Sequence, residues 1–346
     1  MLALGLQAAA TRKSMSEITD AGVLIRLAYQ AMESAGIDSG AVLKRIGMSQ
    51  ERLEDKDLRT PHSAQKLFWN AIEEVSGDSN IGLHLGEHLP LFRGQVLEYL
   101  FLSSSTFGDG LQRALNYQRL LSDAVQATLE QDSHGIYLSN PAPGAPLRHL
   151  AECVVIGVLS FFKYVTEDAF QPLEIHFNHE AGTSAEEYQR IFGCPVLFEQ
   201  LENRIYFSHE ILKTPSTHAE PELLRLHEQL ANEHVAKLEK QDFIAQVNRL
   251  IGELLESGNS NLETVAERLD IKPRTLRTRL GEVDTNFNQL LADYRCNLAK
   301  RLLAKTDESI DEIVYLTGFS EPSTFYRAFK RWVGVTPIEF RKSKRS

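Results

Sequence analysis

The feature that most constrains this chain is a short helical plan that occurs twice near its carboxyl end. Residues 262–269 (LETVAERL) put apolar side chains on one face of a helix, Asp270-Ile271-Lys272 is a turn, and residues 273–280 (PRTLRTRL) form a second helix with Leu276 and Leu280 inside. Some 48 residues later the plan recurs as residues 310–316 (IDEIVYL), the turn Thr317-Gly318-Phe319-Ser320, and residues 321–330 (EPSTFYRAFK) with Phe325 and Phe329 inside. Val265 and Ile313, Ala266 and Val314, Ile271 and Phe319, Leu276 and Phe325, and Leu280 and Phe329 match, the last two after one extra residue. Two helices joined by three or four residues make a helix-turn-helix. Gly318 suits the left-handed position that ends a helix, Ser320 is the expected cap of the next, and Pro322 is tolerated in a first turn. Between the two modules, residues 287–303 (FNQLLADYRCNLAKRLL) form one amphipathic helix. A stiff spacer of this kind holds two readers at the separation of successive major grooves, about 34 Å.

Charge follows the same division. The net charge is −10, yet residues 1–240 carry 20 Lys and Arg against 32 Asp and Glu, whereas residues 241–346 carry 17 against 15, and from Lys272 onward the balance is 15 against 9. An acidic body with a basic end is the distribution expected when only the end meets a polyanion. With 346 residues, 42% of them hydrophobic and 24% charged, the composition is that of a globular protein of two or three domains. Cys153, Cys194 and Cys296 are too isolated for a disulfide framework or a thiolate zinc site, which points to a reducing, cytoplasmic setting. The longest apolar stretch, residues 153–162 (CVVIGVLSFF), is about half of the roughly 20 residues a bilayer span needs, so no membrane association is expected.

Residues 1–20 are expected to be a disordered leader, with Met15 opening the sequence that looks folded. A body over 21–215 is expected to be mixed α+β. Val23, Leu24, Leu27 and Ala31 mark a one-faced helix stopped by Gly36; Thr60-Pro61-His62-Ser63 opens another carrying Leu67, Phe68, Ala71 and Val75 up to Gly77. Helical pieces follow at 97–102 and 111–121. Residues 126–139 alternate around Ser-His-Gly as a hairpin, 149–165 is an apolar helix, and 173–177, 196–198 and 205–207 are strands, with a helix start at Ser184 between them. A helical linker over 216–240 then leads to an all-α domain over 241–346 with two helix-turn-helix modules joined by a linker helix.

The last hundred residues closely resemble the AraC/XylS family of bacterial transcription regulators. The resemblance rests on P273-R-T-L-R-T-R-L, on the run from Glu312 to Trp332 (EIVYLTGFSEPSTFYRAFKRW), and on Gly334-Val-Thr-Pro-Ile-Glu-Phe-Arg. The upstream part, with Gly82-Leu83-His84-Leu85-Gly86, Tyr117-Gln-Arg-Leu and Arg204-Ile-Tyr-Phe, resembles the arabinose-binding-type N-terminal domain of one branch of that family, a domain type that does not imply a sugar ligand. The resemblance implies a sequence-specific regulator of double-stranded promoter DNA that binds a small-molecule effector in its body, pairs as a homodimer on two half-sites and contacts RNA polymerase. It also implies that residues 334–340 close the domain against the second module.

On the first recognition helix, inward Leu276 and Leu280 leave Arg274, Arg277 and Thr278 facing the groove. Arginine reads guanine through O6 and N7, each bidentate contact giving about 1–3 kcal/mol of discrimination. Thr278 stands where the family pattern has arginine. On the second helix Ser323, Thr324 and Arg327 face outward, with Tyr326 at the margin; Lys272, Lys330 and Arg331 suit phosphates. Trp332 is expected to pack.

Rival chemistry is thin. His84, Glu87 and His88 match the H-x-x-E-H pattern of inverted zinc peptidases, which would make the chain a zinc-dependent hydrolase, but Gly86 weakens that helix and Pro90 cuts it short. Nucleophile elbows and phosphate loops are missing from the sequence, so no enzyme activity, cofactor or metal is expected. A further alternative gives the body only dimerisation or protein partners.

Overall fold

A computed structural model describes residues 18–141, 145–255 and 258–345. Most of the expected leader, residues 1–17, and its Met15 lie outside these. Its end does not continue the leader: β1 (Thr19–Ala21) pairs antiparallel with β2 (Arg59–Pro61), and buried Asp20 collects Gln65 Nε2 at 2.7 Å, Ser122 Oγ at 2.5 Å and the His62 ring at 3.0 Å. Burial by itself would raise the Asp20 pKa, but these partners outweigh it and hold the carboxyl below its ordinary value. The chain divides into two units between Val235 and Ala236.

The body begins with α1 (Gly22–Ala35), α2 (Ser39–Arg45), α3 (Gln50–Leu53) and α4 (Gln65–Ser76). Gly36 and Gly77 end α1 and α4 at φ +71° and +70°, as their positions led us to expect. The buried face of α1 is Ile25, Ala28, Ala31 and Met32. Val23, Leu24 and Leu27, expected in the core, are only half-buried. The sequence offers apolar residues over more than half of the helix, and the neighbours choose which stripe is sealed.

Then come α5 (Ile81–Glu87), α6 (Val96–Ser103), α7 (Phe107–Tyr117), β3 (Thr128–Gln131), β4 (Ile136–Asn140), α8 (Arg148–Val165), β5 (Pro172–His176), α9 (Ala185–Phe192), β6 (Val196–Leu197) and β7 (Asn203–Phe207). The sheet order is β3-β4-β7-β5-β6, antiparallel except for β5 with β6. The hairpin turns at Gly135, and Ser184 Oγ accepts from Glu187 N at 3.3 Å to cap α9. Phe101, Phe107, Phe162, Phe170 and Phe207 form the aromatic core between the sheet and its helices.

Gly82 and Gly86 explain the Gly-Leu-His-Leu-Gly run. They let α5 lie directly on α8, where side chains at these two positions would collide with His149 and Ile156. Helix α10 (Pro221–Leu255) follows. Its opening turns belong to the body: Arg113 Nε meets Glu228 at 2.8 Å, Tyr117 Oη donates to Asn232 at 3.0 Å, and Ala231 is sealed beside Leu97 and Leu100.

The C-terminal unit holds the remainder of α10 with α11 (Leu262–Arg268), α12 (Pro273–Gly281), α13 (Phe287–Lys305), α14 (Ile310–Leu316), α15 (Pro322–Val333) and α16 (Pro337–Arg345). Cys153, Cys194 and Cys296 are free and buried. No helix among the described residues is long and apolar enough to cross a membrane.

Candidate DNA-binding surface

The two modules share their first-helix caps and the backbone hydrogen bonds that open their turns. Asn261 caps α11 by accepting from Thr264 N at 2.9 Å, and Ser309 caps α14 by accepting from Glu312 N at 3.1 Å. In the first turn Asp270 N donates to Glu267 O and Ile271 N to Ala266 O, both at 3.0 Å. In the second, Gly318 N donates to Tyr315 O at 2.8 Å and Phe319 N to Val314 O at 3.0 Å. The residue at the bend is left-handed in both, Asp270 at φ +54° and Gly318 at φ +70°. Each recognition helix then starts on a proline, Pro273 or Pro322, where no intrahelical amide bond is lost. Ser320 is not the cap of α15. Glu321 holds that position without a side-chain bond, because the extra residue in this turn moves the helix start one place on.

Each module has its own core. Val265, Ala266, Leu276 and Leu280 pack with Val247, Ile251 and Leu254 of α10 and with Phe287 and Leu290 of α13. Ile313, Val314, Phe325 and Phe329 pack with Ala299 and Leu303, from the other end of α13. One helix of 19 residues, about 28 Å at 1.5 Å per residue, is therefore a wall of both cores. Arg295, in its middle, donates from Nη2 to Gly318 O at 2.8 Å and lies 4.7 Å from the Phe319 ring centre. Burial there lowers the Arg295 pKa from its ordinary value. Nothing in the sequence pattern marks this brace, since an arginine on an amphipathic helix looks like solvated surface. Phe340 of α16 meets Phe329 at 5.6 Å between ring centres, Arg341 Nη2 donates to Glu308 O at 2.6 Å, and Trp332 lies against Phe319, so residues after Gly334 close the second module.

With the cores sealed, the outward faces are defined. Arg274, Arg277 and Thr278 on α12, Ser323, Thr324 and Arg327 on α15, and Lys272, Lys330 and Arg331 are all exposed, while Tyr326 is half-buried. Arg277 Nη2 sits 3.6 Å from Glu263 Oε1 of α11, both side chains 65% exposed. Arg327 folds along its own helix, Nε donating to Ser323 O at 3.3 Å. Arg279, which the sequence reading passed over, is exposed as well and lies 5.6 Å from the Phe243 ring centre of α10.

Residues 36–216 match the family described as the arabinose-binding domain of AraC transcription regulators, N-terminal, and residues 265–343 match a helix-turn-helix domain family. The ornithine utilization regulator of Pseudomonas aeruginosa is 30% identical over 314 residues, covering 89% of this chain and 92% of that protein. The chain belongs to the AraC family of transcription regulators. The HTH-type transcriptional regulator VirS of Mycobacterium tuberculosis is 31% identical over 322 residues, 90% of this chain and 92% of its own. Among solved structures, the transcriptional regulator CdpR of Pseudomonas aeruginosa aligns at 21% identity and a TM-score of 0.43 over 88% of this chain and 96% of its own.

AraC-family membership makes the chain a DNA-binding regulator and not an enzyme, which sets aside the zinc-hydrolase alternative. The H-x-x-E-H residues serve another purpose in the body. His84 Nδ1 meets Asp78 at 2.6 Å and its Nε2 lies 3.5 Å from Glu187; Glu87 is clamped by Arg190 at 2.7 and 2.8 Å. His88 is the residue after α5. This ion-pair cluster ties α5 to α9.

Proposed function

We propose that this AraC-family regulator reads promoter DNA with Arg274, Arg277 and Thr278 in one major groove and Ser323, Thr324 and Arg327 in the next, while Lys272, Lys330 and Arg331 hold phosphates. The observation that carries the reading is the duplicated turn geometry: two recognition helices with the same backbone hydrogen bonding, each presenting its polar face to solvent while α13 walls both cores. Base contacts specify and phosphate contacts position. Two copies act as a homodimer on paired half-sites in the cytoplasm and contact RNA polymerase. Exposed Leu223, Leu226 and Leu230, on one side of the start of α10, support pairing through the body. A small-molecule effector bound in the body sets the DNA affinity.

Binding to DNA flanking the regulator's own gene tests this. Arg277→Ala should weaken binding and relax base preference, whereas Lys330→Ala should weaken all sequences alike and reduce the salt dependence by about one counterion. Affinity that does not fall as salt rises would overturn the groove reading.

A further inference from the structure

The body encloses a cavity of about 250 Å³ walled by α1, α4, residues 89–92, α6, α7 and α8. Its wall includes Leu24, Leu27, Phe68, Trp69, Val158 and Phe161, and among the described residues no Asp, Glu, Lys, Arg or His lies on it. This accounts for Leu24 and Leu27, apolar residues of α1 left only half-buried by the core. Exposed Val154 and Ser160 mark where the wall on α8 meets solvent.

The polar groups on the wall are largely committed. Gln118 Oε1 accepts from Ala127 N at 2.7 Å and its Nε2 donates to Ala127 O at 3.2 Å, while Gln65 Nε2 is held by Asp20. Trp69 differs: its side chain is buried, and its indole Nε1 has no hydrogen-bond partner in the structure. That nitrogen is sealed from a water-sized probe, so it is packed behind the wall and the ring carbons of Trp69 face the cavity.

We propose that this cavity is the effector site and that it takes a neutral, mainly apolar molecule. The proposal rests on the reading that the body senses an effector, and it adds the site and the ligand class. A dry cavity of about 150 Å³ holds benzene, which scales to about ten non-hydrogen atoms here. A free sugar would bury several hydroxyls without partners, and an amino acid would bury two charges on a wall that offers no counter-charge. The position of the cavity suits regulation. Leu97 and Leu111 line it from α6 and α7, the helices that also hold residues 224–232 of α10.

The test uses the full chain with 2-nonanone, nonane, nonanoate, L-arabinose and L-lysine, read by thermal shift, calorimetry and operator affinity. The chain has two tryptophans, so in a Trp332→Phe background the emission reports Trp69 alone. The expected result is one 2-nonanone bound per chain, a raised Tm, a change in Trp69 emission and a change in operator affinity. Nonane should bind as well, because the wall is mainly apolar. Val158→Phe, which fills the cavity, should abolish both. Tighter binding of nonanoate, arabinose or lysine overturns the ligand class and leaves an effector-controlled regulator standing. Binding of 2-nonanone that survives Val158→Phe overturns the site. If 2-nonanone binds as described and operator affinity does not move, the cavity and its chemistry stand and the effector reading falls.

Discussion

The two helix-turn-helix modules share a backbone and differ in what they are made of. The first has an aliphatic core, Val265, Leu276 and Leu280, with aspartate at its left-handed bend; the second has an aromatic core, Phe319, Phe325 and Phe329, with glycine there. Their outward faces differ in the same measure: Arg274 and Arg277 with Thr278 on α12, against Ser323 and Thr324 with an Arg327 folded along its own helix on α15. The turn hydrogen bonds and the apolar positions are what make a module. The outward residues, which no core constrains, are free to set what each module reads. On this account α12 supplies the stronger base discrimination, and α15 contributes more through hydroxyls and the phosphates beside it.

The largest test of this comparison is on the cores. Phe325→Ala should cost about 3–5 kcal/mol and Leu276→Ala about 2–5 kcal/mol, measured by chemical denaturation of the full chain. A Phe325→Ala variant that unfolds at the wild-type midpoint would mean the second module has no core of its own. Next come the faces. Arg277→Ala should lose about 1–3 kcal/mol of operator binding with relaxed base preference, and Ser323→Ala less, in a titration over operator variants. The reverse ranking would move the main reader to α15.

The bends give a smaller effect. Gly318→Ala forces a side chain into a left-handed conformation at about 1–2 kcal/mol, and places it 3.0 Å from Leu255 and 3.2 Å from Arg295. Asp270→Gly relieves the same conformation in the first module, so thermal melts should show a gain of under about 1 kcal/mol. Smallest is Glu263→Gln. Its exposed pairing with Arg277 should change stability by no more than about 1 kcal/mol, with operator affinity rising slightly as Arg277 is released. A large loss of either would make Glu263 a structural partner rather than a competitor of DNA.

Much of this contrast is legible in the sequence, because a helix-turn-helix is local. Pro273 and Pro322 fix φ and Gly318 permits a positive one, and the spacing of Leu276 with Leu280 and of Phe325 with Phe329 sets which side faces out. The cap at Ser320 was misplaced by one residue because Ser, Glu and Pro in succession offer more than one helix start. The body is legible in its elements and not in its cavity. Leu24 and Leu27 look like core, and only the cavity that α1 walls together with α4 and α8 shows that they border open space. Arg295 escaped for the same reason: its role depends on Gly318 and Phe319, which are distant in sequence.

The central claim is that two unlike faces on one spacer read neighbouring grooves of one duplex. Methylation protection of guanine N7 on the operator tests it most directly, because a recognition helix lodged in the major groove shields that atom. In each half-site, wild-type protein should protect two groups of bases about one helical turn apart on the same face, and Arg277→Ala should lose one group while keeping the other. Protection confined to a single groove, or an unchanged pattern with Arg277→Ala, would contradict the account.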